Sequence, residues 1–187
     1  MTAISELENP ISTELPKTLA EFLEWEQPLD GFKYEWNDGE IIQFSKMDKR
    51  QIYIYILLNK IFNKKGLWEN GVLVTEYDTQ LSAIQMRRPD IAYITDEQGK
   101  KANNGEDIIP EFVIEVISIN DKPYQIEKKI TEYFKAGVKV VWNIYPEPQL
   151  VYVYTSRKQV QICMEDDICS AAPVLPKFEV KVSDIFG

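Results

Sequence analysis

The stretch "PEFVIEVIS", residues 110–118, decides the fold. Phe112, Val113, Ile114, Val116 and Ile117 are what an interior β-strand requires. Side chains alternate along a strand, so Phe112, Ile114, Val116 and Ser118 take one face and Val113, Glu115 and Ile117 the other. Both faces are largely apolar, so both are expected to be covered. Glu115 is the exception. Burying a lone ionised carboxylate is costly, so it needs a cation, hydrogen-bond donors or a metal. The next segment, "NDKPYQIEKKITEYFKAGVK" (120–139), reads as a helix. Asn120 or Asp121 can cap it, Pro123 suits its first turn and Gly137 its end. Ile126, Ile130, Tyr133 and Phe134 form the stripe that packs on a sheet. "VKVVWNIY" (138–145) then returns as a strand. A strand, a helix and a strand in this order predict an α/β fold, a mixed sheet with helices packed against it.

The flanking sequence extends the pattern. Residues 1–17 read as a leader, and residues 18–187 as a single domain. "TLAEFLEW" begins a short helix, with Thr18 and Glu21 at capping-box spacing. "FKYEWNDGEIIQF" is a hairpin turning at Asp-Gly. "DKRQIYIYILLNKIFNKK" reads as a helix starting near Asp48, although "IYIYI" alone would suit a strand. "GVLVTEYDTQL" gives one or two strands. "RRPDIAYIT" gives a further strand entered through Pro89. "DEQGKKANNGEDI" is expected to be a polar loop. "QLVYVYT", "QVQIC" and "KFEVKV" complete the strands.

Composition narrows the chemistry. The chain has 187 residues, a net charge of −9 and no histidine. Without imidazole there is no Ser-His-Asp or Cys-His catalysis and no histidine-bound zinc. Catalysis would fall to carboxylates, lysines or hydroxyls, and any metal would be a hard cation held by oxygen. The acidic balance disfavours a general nucleic-acid coat but allows a local basic groove. Cys163 and Cys169 lack metal-type spacing, so free thiols in the cytoplasm are expected. No apolar run is long enough to span a bilayer, and "MTAISELENP" is too polar for a secretory signal.

Two further residues stand beside Glu115. Asp90 follows Pro89 at the start of another strand. Two carboxylates from two strands can meet at one sheet edge, where a cation such as Mg²⁺ or Mn²⁺ would relieve their repulsion. The plain alternative is that Asp90 caps the turn at Pro89. Lys129 lies three residues after Ile126 and four before Tyr133, bordering the apolar stripe. Lys128 points nearly opposite, toward solvent. If a lysine reaches the carboxylates it is Lys129, unless that side chain only snorkels at the sheet–helix boundary.

"RRPD", "FVIEVIS" and "KITEYFKAGV" followed by "VVW" resemble the Uma-two family of putative restriction endonucleases, of the PD-(D/E)xK nuclease superfamily. "TLAEFLEW", "YEWNDGEII" and "LPKFEVKVSDIF" extend the resemblance across nearly all of the chain after the leader. It implies a restriction-endonuclease-like mixed β-sheet flanked by α-helices. It also implies a Mg²⁺- or Mn²⁺-dependent endonuclease acting on DNA, working as a homodimer away from membranes. Asp90 and Glu115 match the metal-binding carboxylates, with the Val116 carbonyl as a third ligand. Lys129 matches the lysine of the family's "KxxxYxxAGV" helix, while Ile117 stands where the superfamily lysine usually does. Glu35 matches the hairpin glutamate that approaches the same site; the local pattern alone reads it as a solvent-facing charge. Arg87, Arg88 and Lys122 are the candidate phosphate contacts, and Lys128 reads as solvated surface.

The chain departs from the family in two places. "KMDKRQIY" lacks the histidine common at that helix start, and "GVKVVWNIYP" replaces "GVxEYWxxDP", with Val140 for the glutamate and Tyr145 for the aspartate. These departures favour an alternative, a catalytically inactive nuclease-fold binding or structural protein. A small-phosphate-ester hydrolase is a third reading, without a Gly-rich loop to support it.

Overall fold

A computed structural model describes residues 15–187. The expected leader lies outside the described residues over positions 1–14. The fold is a mixed α/β architecture built on three sheets.

The central sheet has six strands: β3 (Gly71–Thr75), β6 (Ile91–Thr95), β7 (Phe112–Val116), β8 (Val140–Tyr145), β9 (Leu150–Ser156) and β10 (Gln159–Met164). They lie in the order β10-β9-β8-β7-β6-β3. Only β7 and β8 run parallel, joined by helix α4 (Pro123–Ala136). Pro123 stands at the start of α4, and Gly137 ends it with φ at 113°, a conformation that favours glycine. Lys122 is the N-cap and makes no side-chain cap. Neither expected cap serves: the Asp121 carboxylate instead accepts the Ser118 N–H at 2.8 Å.

A second sheet orders β2 (Glu40–Ser45), β1 (Phe32–Asn37), β5 (Gln85–Arg87) and β4 (Thr79–Ser82). The β1–β2 hairpin turns at Asp38 and Gly39, both with positive φ, as its Asp-Gly pair demands. "GVLVTEYDTQL" therefore divides between two sheets. A third, two-stranded sheet pairs β11 (Ile168–Ala171) with β12 (Leu175–Lys181).

The core has three parts. On one face of the central sheet, helix α2 (Lys49–Lys64), the short α5 (Val182–Phe186) and the β11–β12 pair cover Phe112, Ile114, Val116 and Trp142. Helix α2 starts where the sequence indicated. Asp48 and Gln51 form a capping box, and Ile54, Leu58 and Phe62 point inward at helical spacing. On the other face, Ile130 and Tyr133 of α4 pack over Ala92, Val113 and Val141. Helix α1 (Leu19–Glu24) seats Leu19 and Phe22 against Tyr34, Trp36 and Met86 of the second sheet.

One expected loop is a helix. Residues Asp96–Asn103 form α3, started by a Thr95–Gln98 capping box. No residue of α3 is buried, so it carries no apolar period to betray it; the capping interaction starts it instead.

Candidate active site

Strands β6 and β7 pair antiparallel with Ile91 opposite Ile114. Continuing that register by one residue sets Asp90 opposite Glu115. Asp90 Oδ2 accepts the Val116 N–H at 2.7 Å, which ties the two strand ends together. Glu115 shares the face of Val113, so its carboxylate points at α4. There Lys129 Nζ lies 2.8 Å from Glu115 Oε1 and 3.0 Å from Glu35 Oε1. The Tyr133 hydroxyl donates to the same Glu115 oxygen. Glu35 is fully buried, and Lys129 is 6% exposed. The structure thus brings Asp90, Glu115, Lys129 and Glu35 into one neighbourhood. Lys128 stays at the surface.

Three further charged residues join this neighbourhood, none of them given this role by the sequence. Lys33 donates to Asp90 Oδ1 at 2.6 Å and to the Arg88 carbonyl at 3.3 Å. Arg87 donates to Glu35 Oε2 at 2.9 Å and, through Nε at 2.8 Å, to Glu132 Oε2. Glu132, one helical turn beyond Lys129, is the third. Every fully buried charged residue among the described residues belongs to this single network: Glu35, Asp90, Glu115 and Glu132 with Lys33, Arg87 and Lys129. Carboxylates outnumber cations, so a negative charge is left over.

The electrostatics follow from burial and this imbalance. Burial raises the Glu115 carboxyl above its ordinary range; Asp90 adds to the rise and Lys129 only partly offsets it. Burial also pushes Glu35 upward, but Lys129, Arg87 and Lys33 outweigh it and hold Glu35 below the ordinary range. For Lys129, burial is overcome by Glu115 and Glu35, so its ammonium is held in the charged form. Lys33 behaves likewise: Asp90 and the glutamates overcome burial and raise it.

These residues open onto a cavity of about 220 Å³, whose wall includes Lys33, Asp90, Glu115, Lys129, Tyr133 and Asn143. Asn143 stands beside Glu115 in the parallel β7–β8 register. It is 1% exposed, and neither its Oδ1 nor its Nδ2 makes a hydrogen bond. Burial raises the nearby Tyr145 phenol, and the Asn143 amide draws it partly back, although no Asn143 contact meets hydrogen-bond geometry.

The donor set suits a hard cation, being all oxygen. Among the described residues no three acidic or thiol side chains converge as a ready-made cage. Two carboxylates completed by water and substrate phosphate is, however, a set that Mg²⁺ commonly accepts. The surplus negative charge and the raised Glu115 fit a cation as well. Lys33 already holds one of its positions.

Several expectations need correction. Arg87 is 1% exposed and locked between Glu35 and Glu132, so it cannot meet a phosphate. The Val116 carbonyl accepts from Gln51 Nε2 at 2.7 Å, which uses one of its two lone pairs. Glu35 does not face solvent, because Arg87 of the neighbouring strand and Lys129 of α4 hold its two oxygens. Arg88 is half-buried against Asp78 and Gln27. Lys122 is exposed at the start of α4, and Lys46 is an exposed lysine on the cavity wall.

A mixed sheet flanked by helices, with carboxylates from two strands and a helix lysine at its edge, defines a restriction-endonuclease-like fold. The family model for Uma2, putative restriction endonuclease, matches residues 19–183. The chain belongs to this Uma-two family. A crystal structure described as a putative nuclease belonging to DUF820 from Anabaena variabilis is similar at a TM-score of 0.78 and 22% identity, covering 91% of this chain and 98% of that one. Comparison with the curated proteins found no match. No described helix is long and apolar enough to cross a membrane.

Proposed function

We propose that the protein is a metal-dependent DNA endonuclease that hydrolyses phosphodiester bonds. The observation that carries this reading is the facing pair of Asp90 and Glu115, with Lys129 in contact, on the wall of a cavity open to substrate. Asp90 and Glu115 would hold Mg²⁺ or Mn²⁺, with the Val116 carbonyl offering its second lone pair beside the Gln51 contact. The bound cation would supply Lewis acidity and a lowered water pKa. Glu115, raised in its absence, would then be held ionised. Lys129, fixed between Glu35 and Glu115, orients the attacking water and offsets charge that builds on the phosphate. Glu35 positions Lys129 and not the phosphate, since both of its oxygens are already taken. Lys46, Arg88 and Lys122 are the contacts we assign to the DNA backbone. The protein would act in the cytoplasm as a homodimer.

The Lys33–Asp90 pair favours a second reading, in which the fold binds without cutting. One assay decides. Supercoiled, linear and single-stranded DNA are incubated with Mg²⁺ or Mn²⁺ and the wild type, Asp90→Ala or Lys129→Ala. The endonuclease reading expects metal-dependent nicking that both variants lose. No cleavage by the wild type on any substrate, with no metal bound by calorimetry, would leave the binding protein.

A further inference from the structure

The outer edge of β10 pairs with no other strand among the described residues. Edge strands are usually blunted by lysine, proline or a covering element, because an open row of N–H and C=O groups recruits other strands. Between Gln159 and Met164 the sequence is "QVQICM", with no charge and no proline. Val160, Ile162 and Met164 share one face and are 49%, 47% and 46% exposed. On the adjacent strand they continue into Tyr154, Tyr152 and Leu150, their cross-strand partners. This is an apolar stripe running beside an unpaired backbone.

The charges at its two ends say what would cover it. Arg157 and Lys158 precede the strand, and Glu165, Asp166 and Asp167 follow it. Arg157 is paired with Glu127, and Asp166 with Lys181. Lys158 and Glu165 make no ion pair among the described residues. A second copy laid antiparallel along the edge sets the basic end of each strand against the acidic end of the other. A parallel copy would set like against like. From this we infer that β10 is the interface of a homodimer, paired antiparallel about Ile162. Ile162 then meets Ile162 of the second copy, Val160 meets Met164, and Lys158 meets Asp166, in the turn that begins at Glu165.

The central sheets become one twelve-stranded sheet. Glu115 lies on β7, so seven strand spacings separate the two sites, up to about 34 Å at the usual spacing. Neither site borrows a residue from the other copy. Loss of the dimer therefore leaves hydrolysis per protomer intact, and the inference stands or falls apart from the nuclease reading.

Sedimentation equilibrium of the full chain at micromolar concentration tests it. The wild type is expected to be a dimer. Ile162→Lys, which places two ammonium groups face to face, should weaken it by roughly a hundredfold with unchanged circular dichroism. Lys158→Glu should weaken it about tenfold, and adding Asp166→Lys should restore it. A monomeric wild type, an Ile162→Lys dimer as tight as the wild type, or a charge swap that fails to restore affinity would each overturn the inference.

Discussion

Replacing Lys33 by methionine should make the protein bind divalent metal more tightly. Lys33 Nζ sits 2.6 Å from Asp90 Oδ1, the oxygen that a metal would need at about 2.1 Å. A divalent ion on that oxygen would lie about 4 Å from the ammonium, and at an effective dielectric near 20 the two would repel by about 8 kcal/mol. Lys33 can relieve most of this by swinging away, but it then loses its buried pair with Asp90. A residual cost of about 1.4 kcal/mol corresponds to tenfold in affinity. Mn²⁺ binding by electron paramagnetic resonance should therefore be at least about tenfold tighter in Lys33→Met than in the wild type. Without metal the variant should be less stable by about 3–5 kcal/mol, because Asp90 is left buried and unpaired. Saturating Mn²⁺ should recover part of that loss by mass action. Equal or weaker Mn²⁺ binding by a folded Lys33→Met protein would refute the idea that this lysine holds a cation position.

Other outcomes follow from the same network. Glu115→Gln should end cleavage yet stabilise the fold near neutral pH. A carboxyl raised on folding contributes its stability below the ordinary carboxylate range and loses it as pH rises through the raised value, so the variant's advantage in urea unfolding should fade below about pH 4. Asn143→Leu removes two unsatisfied buried polar atoms and should raise stability by about 1 kcal/mol or more; a loss in urea unfolding would mean that the amide is satisfied by a partner such as water. Lys128→Ala should stay within about 0.5 kcal/mol of wild type, whereas Lys129→Ala should cost about 3–5 kcal/mol as well as cleavage.

The sheet and its helices were legible because their signals are local. "PEFVIEVIS" declares an interior strand, Pro123 and Gly137 bracket α4, and Asp48 with Gln51 starts α2. Lys129 could be placed by its distance from Ile126 and Tyr133 along one helix. The hairpin charges could not be read this way. Lys33 and Glu35 alternate with Tyr34 and Trp36, which is the pattern of a strand with a wet face. That face is dry only because Arg87, Asp90 and Lys129 reach it from elements as far as 94 residues away in sequence. Glu132 did carry a signal, a charge three residues after Lys129 on the inward side of α4. Arg87 was legible only as a candidate phosphate contact, since its three-residue strand is too short to show a period. The α3 helix was missed for the converse reason: it buries nothing, so it has no stripe.

The three-residue link Arg88–Pro89–Asp90 carries the chain from the second sheet to the central one, and the ionic network crosses the same seam. Lys33 and Glu35 belong to a hairpin whose turn takes no part in it and whose outer strand meets it through Phe44, the ring of which lies 4.7 Å from Lys129 Nζ. Exchanging the hairpin's two inward charges would change the ion that the strand carboxylates tolerate, while β6, β7 and α4 kept their packing. In the proposed nuclease, metal preference could in this way be altered without any change at Asp90 or Glu115. It would be engineered most readily on β1, at Lys33 and Glu35.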